Sequence, residues 1–121
     1  MYIEIEGIDM AEVRKLICTQ KNRSLGEIVG VIKAGLSSEF VCEAKMLNGN
    51  AVLLCFEQFY FRCSNYVSLS IMLTENEECQ EAVVAGFGGG DGLLNMSYGA
   101  NKSFASKAVK CLCRVGFLET K

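Results

Sequence analysis

From Phe40 to Leu73 the chain keeps a period of two, and no other feature of the sequence restricts its fold as much. Phe40, Cys42, Ala44 and Met46 fall on one side of an extended chain while Glu43 and Lys45 fall on the other. Asn48-Gly49 comes next, a dipeptide suited to a tight hairpin because both residues tolerate the positive φ such turns require. Residues 52–61 are apolar on both faces, and Val67, Leu69, Ile71 and Leu73 then alternate with Ser68 and Ser70. That last strand has a distinct inside and outside, so the three together read as an antiparallel meander.

The flanking segments extend this plan. The sequence contains no proline, so turns must come from Gly, Asn, Asp and Ser. Residues 74–78 read as an acidic turn, and 82–87 and 93–98 as two further strands joined through Gly88-Gly89-Gly90-Asp91-Gly92. Upstream, Ser24-Leu25-Gly26-Glu27 has the spacing of a capping box, and Leu25, Ile28, Val29, Ile32 and Leu36 recur at intervals of three and four. This predicts a helix over about 25–35. Tyr2-Ile3-Glu4-Ile5-Glu6 reads as a strand ended by Gly7. Residues 9–20 have two readings: Asp9 to Glu12 has capping-box spacing, whereas Val13 to Thr19 holds β-formers. A final helix is capped by Asn101 or Ser103, buries Phe104, Ala108, Cys111, Leu112 and Val115, and stops at Gly116. Lys102, Lys107, Lys110 and Arg114 make its other face basic.

The order β-α-β-β-β-β-β-α predicts an α+β fold of two layers: a mainly antiparallel sheet of about five to six strands with two or three helices on one face. With 121 residues, half of them hydrophobic, the chain suits a single domain over 1–121. A net charge of −2 argues against nucleic acid as a partner. No stretch approaches the ~18 apolar residues of a membrane span, and the first residues lack the basic start and apolar run of a signal peptide, so no membrane is expected and the expected location is cytoplasmic. There the seven cysteines are expected to be reduced.

Candidate chemistry is sparse. With no histidine, His-dependent triads and His-containing zinc sites are excluded. The glycine-rich stretch from Gly86 to Gly92 can be a wide hairpin or a backbone cradle for an anion, with Gly88, Gly89, Gly90, Asp91 and nearby Lys102 as its binding residues. Phosphate loops run from a strand straight into a helix, whereas here a further strand is expected first. No Cys-x-x-Cys occurs, and Cys111 and Cys113 on a helix point about 200° apart, so no metal is expected. Cys42 and Cys55 flank the Asn48-Gly49 turn as cross-strand neighbours or as small buried hydrophobes. Glu57 and Tyr60 interrupt the otherwise apolar 52–61 strand.

The stretch from Phe56 to Thr74, with Asn65, Val67, Ser68 and Leu69 as landmarks, and that from Gly88 to Phe104, with Gly89, Gly90, Ser103 and Phe104, resemble a family of short cytosolic proteins of unknown function from Gram-positive, Clostridia-type bacteria. The resemblance covers the C-terminal two thirds. It implies an α+β fold in a bacterial cytosol and supplies no catalytic residues.

The doubly apolar strand 52–61 carries the functional expectation. If helices cover one sheet face, its other side chains need another cover, and self-association as a homodimer through the sheet provides one. The expected function is therefore a non-enzymatic homo-oligomeric interaction or small-ligand-binding module, with no catalytic residue and no cofactor. The alternative is a small enzyme or a nucleotide- or phosphate-binding protein working at the 86–92 loop.

Overall fold

A computed structural model describes residues 11–61, 65–88 and 96–120. In chain order these form β1 (Glu12–Cys18), α1 (Leu25–Gly35), β2 (Glu39–Lys45), β3 (Ala51–Tyr60), β4 (Asn65–Glu75), β5 (Gln80–Gly88), α2 (Met96–Arg114) and β6 (Leu118–Thr120). The strands make one six-stranded sheet in the order β2-β3-β4-β5-β1-β6. Every pairing in it is antiparallel. The α+β architecture expected from the sequence is the one found.

Local chemistry explains most element ends. At α1 the Ser24 hydroxyl accepts from the Glu27 N–H at 3.1 Å while the Glu27 carboxylate accepts from the Ser24 N–H at 3.2 Å, a complete capping box. Between β2 and β3, Gly49 takes φ +76° and the Met46 N–H closes the turn onto the Ala51 carbonyl at 2.9 Å. Between β4 and β5 the Asn76 side chain accepts from the N–H groups of Glu78 and Cys79, each at 2.8 Å. The acidic turn is thus organised by its one amide. Residues 9–20, open between helix and strand, contain β1, whose β-formers pair with β5 from Glu12 to Cys18.

Two expectations need correction, and one strand had no counterpart among them. Residues 96–98 are not strand: α2 begins at Met96, and Asn101, expected as a cap, lies inside the helix and is buried. Burial of Ala100, Phe104, Ala108 and Leu112 at intervals of four extends the helical stripe upstream and overrides the local strand propensity. The rest of that segment, 93–95, and the strand expected at 2–6 lie outside the described residues. In β2 the register shifts between Phe40 and Cys42, a bulge that puts them on opposite faces. Phe40 lies on the helix side, edge-to-face with Phe56 and beneath the Lys33 ammonium, whereas Cys42 pairs with Cys55 on the other face. The strand without a counterpart is β6, too short to show a period.

Both helices lie on one face. Val67, Leu69, Ile71 and Leu73 of β4 and Val52, Leu54 and Phe56 of β3 are buried beneath them, while the intervening residues point away. On this side Lys33 of α1 donates to Glu43 of β2 at 2.6 Å, and that hydrogen bond holds the Glu43 carboxyl below its ordinary range. Arg14 of β1 likewise grips Glu119 of β6 by donating from Nε and Nη2 to its two carboxylate oxygens and lowers its carboxyl, tying down the short last strand. The buried Gln80 amide donates to the Arg23 carbonyl and the Glu75 carboxylate, each at 2.7 Å.

Helix and sheet approach each other tightly at Gly86. A Cβ built there would stand 2.4 Å from the Asn101 carbonyl oxygen, a backbone atom that cannot swing aside. At Gly30, exposed in mid-helix, a Cβ meets nothing within 4 Å. Gly86→Ala is therefore expected to destabilise the fold by about 2 kcal/mol or more. Gly30→Ala should stabilise it by roughly 0.5–1 kcal/mol. Urea unfolding of the two variants checks the pair, and equal effects of one sign would contradict the packing described.

Candidate functional site: the open face of the sheet

The side of the sheet turned away from the helices is the largest feature the fold leaves unexplained. Its side chains fall into rows across the strands, set by register. One row runs Ala44, Leu53, Met72, Val83 and Lys15 from β2 to β1. Next to it runs Cys42, Cys55, Ser70, Ala85 and Val13. A third row holds Glu39, Glu57, Ser68 and Phe87, and beyond it Phe59 pairs with Tyr66.

Apolar groups dominate the exposure. Leu53 and Met72, adjacent in the first row, are 41% and 43% exposed, and with Met46, Ala44 and Ala51 they line a shallow apolar depression of about 280 Å³. At the other end Phe59 stands edge-to-face against Phe61 at 5.2 Å and Tyr66 at 5.4 Å, and Phe61 is 89% exposed. Water contacts all of this surface, which an isolated globular domain ordinarily keeps small. The strand that is apolar on both faces therefore has one buried and one open side, as its sequence implied.

The face is also polar in one direction. Glu39 and Glu57 lie directly opposite each other on β2 and β3, like charges at cross-strand distance. Lys15, at the far side on β1, supplies positive charge on the same face, with the buried Glu81 of β5 diagonal to it. Between the two sides the Cys55 thiol lies 3.7 Å from the Ser70 hydroxyl, and its neighbourhood pushes the thiol of the opposed Cys42 up from its ordinary value.

Of the residues named from sequence as an anion site, Gly88 and Lys102 are among the described residues. Gly88 ends β5 with φ +90°, opposite Val67, and Lys102 is exposed on α2. Gly89, Gly90 and Asp91 lie outside the described residues. One premise does change: residues 96–98 open α2, so the next described element after β5 is a helix. Cys111 is buried and Cys113 exposed, on opposite sides of α2. Among the described residues no cluster of three or more Cys, Asp or Glu is placed to hold a metal ion. Tyr60, the other interruption of β3, packs inward near Phe104, with Lys107 over its ring.

Sequence reasoning found the open strand but missed the rows, because these depend on pairing register. The Glu39–Glu57 pair was reachable by counting from the Asn48-Gly49 turn only if the bulge at residues 40–42 was known.

The molecule is thus a two-layer α+β domain, an antiparallel sheet clad on one side. By sequence the chain belongs to DUF6054, a family of unknown function, whose profile matches residues 10–116. No curated protein matches it in sequence. Among solved structures, the Ran-binding protein Mog1p of Saccharomyces cerevisiae is similar over 93% of this chain and 72% of that one, with 11% identity and a TM-score of 0.44. At that level neither fold nor function is transferred. Among the described residues no helix is long and apolar enough to cross a membrane.

The opposed glutamates make a direct prediction. Glu57→Gln, which keeps the shape and removes one charge, is expected to raise stability at neutral pH by roughly 0.2–1 kcal/mol. The gain should shrink in high salt. A loss of stability in denaturant titrations at a protein concentration low enough to keep the chain monomeric would mean that Glu57 has a favourable partner within its own chain.

Proposed function

We propose that this protein is a non-enzymatic interaction module whose open sheet face binds a second copy of the same chain. The observation that carries the reading is the apolar row of Ala44, Leu53, Met72 and Val83 left uncovered between acidic residues at one side and Lys15 at the other. Stacking two such faces about a two-fold axis brings Glu39 and Glu57 of each copy toward Lys15 of the other, so shape and charge both favour self-pairing. The size fits as well. Six strands about 4.8 Å apart span roughly 24 Å, and strands of nine to eleven residues run roughly 30 Å, so the face offers roughly 700 Å². A standard interface buries about 800 Å² per partner. The setting of the reading is the bacterial cytoplasm that the sequence resemblance implies.

Light scattering on a sizing column tests it. The protein should elute with the mass of a dimer at micromolar concentration, and Leu53→Glu should give a folded monomer. Lys15→Glu and Glu57→Lys should each weaken the dimer roughly tenfold, a change of about 1.4 kcal/mol. The double reversal should restore it. A wild-type chain that remains monomeric at high micromolar concentration ends this reading.

One observation supports a second reading. The succession of β5, a glycine-rich segment and α2 has the chain order of phosphate-binding loops, in which bare N–H groups and a helix start meet an anion. On this reading Gly88, Gly89 and Gly90 supply N–H groups, Lys102 supplies charge, and Asp91 contacts a ligand hydroxyl. A thermal-shift series with phosphate, nucleotides and sugar phosphates tests it: at a hundred times Kd the midpoint should rise by roughly 10 °C. No rise at millimolar concentration with any phosphate compound removes the support for this second reading.

A further inference from the structure

Cys42 and Cys55 are directly opposed on neighbouring strands, β2 and β3. Counting in twos from the hydrogen-bonded Met46–Ala51 closure makes theirs a hydrogen-bonded position of the antiparallel ladder. Cα atoms at such positions are ordinarily about 5.5 Å apart. That is the commonest separation across a disulfide, and both side chains leave the sheet on the same face. Cys42 is exposed and Cys55 half-buried, in contrast to Cys18, Cys79 and Cys111, which are buried. Cys113 is also exposed, but on α2, across the domain from the open face. The pair lies at the margin of the open face, since β2 is the edge strand.

We infer that Cys42 and Cys55 form a vicinal redox site, a dithiol that a small disulfide such as oxidised glutathione converts to a cross-strand disulfide. One thiolate of the pair attacks a sulfur of the small disulfide, forming a mixed disulfide and expelling a small thiolate. The second cysteine, deprotonated, attacks the protein sulfur of that mixed disulfide and expels the other small thiolate. The protein loses two electrons and two protons, and one small disulfide becomes two small thiols. The second step is favoured because the two cysteines are directly paired across neighbouring strands, with both side chains on one face. Cys55 also has the Ser70 hydroxyl beside it, a polar neighbour for whichever sulfur carries charge.

The experiment equilibrates the full chain in graded mixtures of reduced and oxidised glutathione, quenches with acid, alkylates, and reads intact and peptide masses. The expected product is a single chain lighter by two hydrogens, with the Cys42 and Cys55 peptides joined and five alkylatable thiols in place of seven. Half-conversion should move with the square of the reduced glutathione concentration, as an internal disulfide requires. Cys42→Ser and Cys55→Ser should each abolish the loss of two hydrogens and leave a glutathione adduct on the surviving thiol. Wild-type protein that carries only glutathione adducts, links Cys113, or crosslinks between chains overturns the inference, and so does a Cys55 that never reacts. Since the decisive measurement is on wild-type protein, a serine variant that fails to fold does not rescue the idea.

Discussion

The whole arrangement depends on how closely α2 approaches β5. At Gly86 the Asn101 carbonyl oxygen lies where a Cβ would sit, so helix and sheet meet backbone to backbone. That contact sets the depth at which Phe104, Ala108 and Leu112 enter the core, and all three are fully buried. It also gives the packing a direction. With α2 over β5, β1 and β4, and α1 beside it, all helical cover lies on one side of the sheet. The opposite side of the three long strands has none from within the described residues. An open face is the geometric remainder of a close contact made elsewhere.

The legible parts of the sequence were those in which a few neighbouring residues decide the structure. Ser24 and Glu27 specify the start of α1 because the capping bonds are reciprocal and local. Asn48-Gly49 specifies its hairpin for the same reason, and Val67 to Leu73 displays its two faces directly. The errors came where a distant surface decides. Met96 to Tyr98 are helical because the apolar stripe of α2 gains from being longer against the sheet, which no local propensity records. β6 exists because Arg14, more than a hundred positions away, holds Glu119. The segment around β1 resisted assignment because its β-formers pair with a strand some seventy residues downstream.

The candidate site divides along the same line. That 52–61 is apolar on both sides was visible, and Leu53 and Phe59 duly remain exposed while Leu54 and Phe56 are buried. Which groups share the open face was not visible, because a single extra residue in β2 reverses the facing of everything on one side of it. Phe40 looked like a partner of Cys42 and is instead beneath α1 with Phe56. The glycine-rich segment shows the converse problem. Its residues stood out in composition, yet its meaning depended on the next element of the chain, and residues 96–98 of the expected strand are helical.

That the proposed association uses a face and not an edge agrees with the strands at the two ends of the sheet. β2 carries the bulge at residues 40–42 together with Glu39, Glu43 and Lys45, and bulges and charges both discourage strand addition. β6 spans only Leu118–Thr120, too short to present a long ladder. Both edges are therefore poor templates for a further strand. The broad face has the opposite character: its centre is aliphatic, its aromatic groups gather at one end, and Glu39 and Glu57 stand apart from Lys15. A flat apolar surface without such charges would accept many partners in many orientations. In the proposed self-pairing, the separation of Glu39 and Glu57 from Lys15 penalises any docking that places like charges together, and a two-fold orientation avoids this.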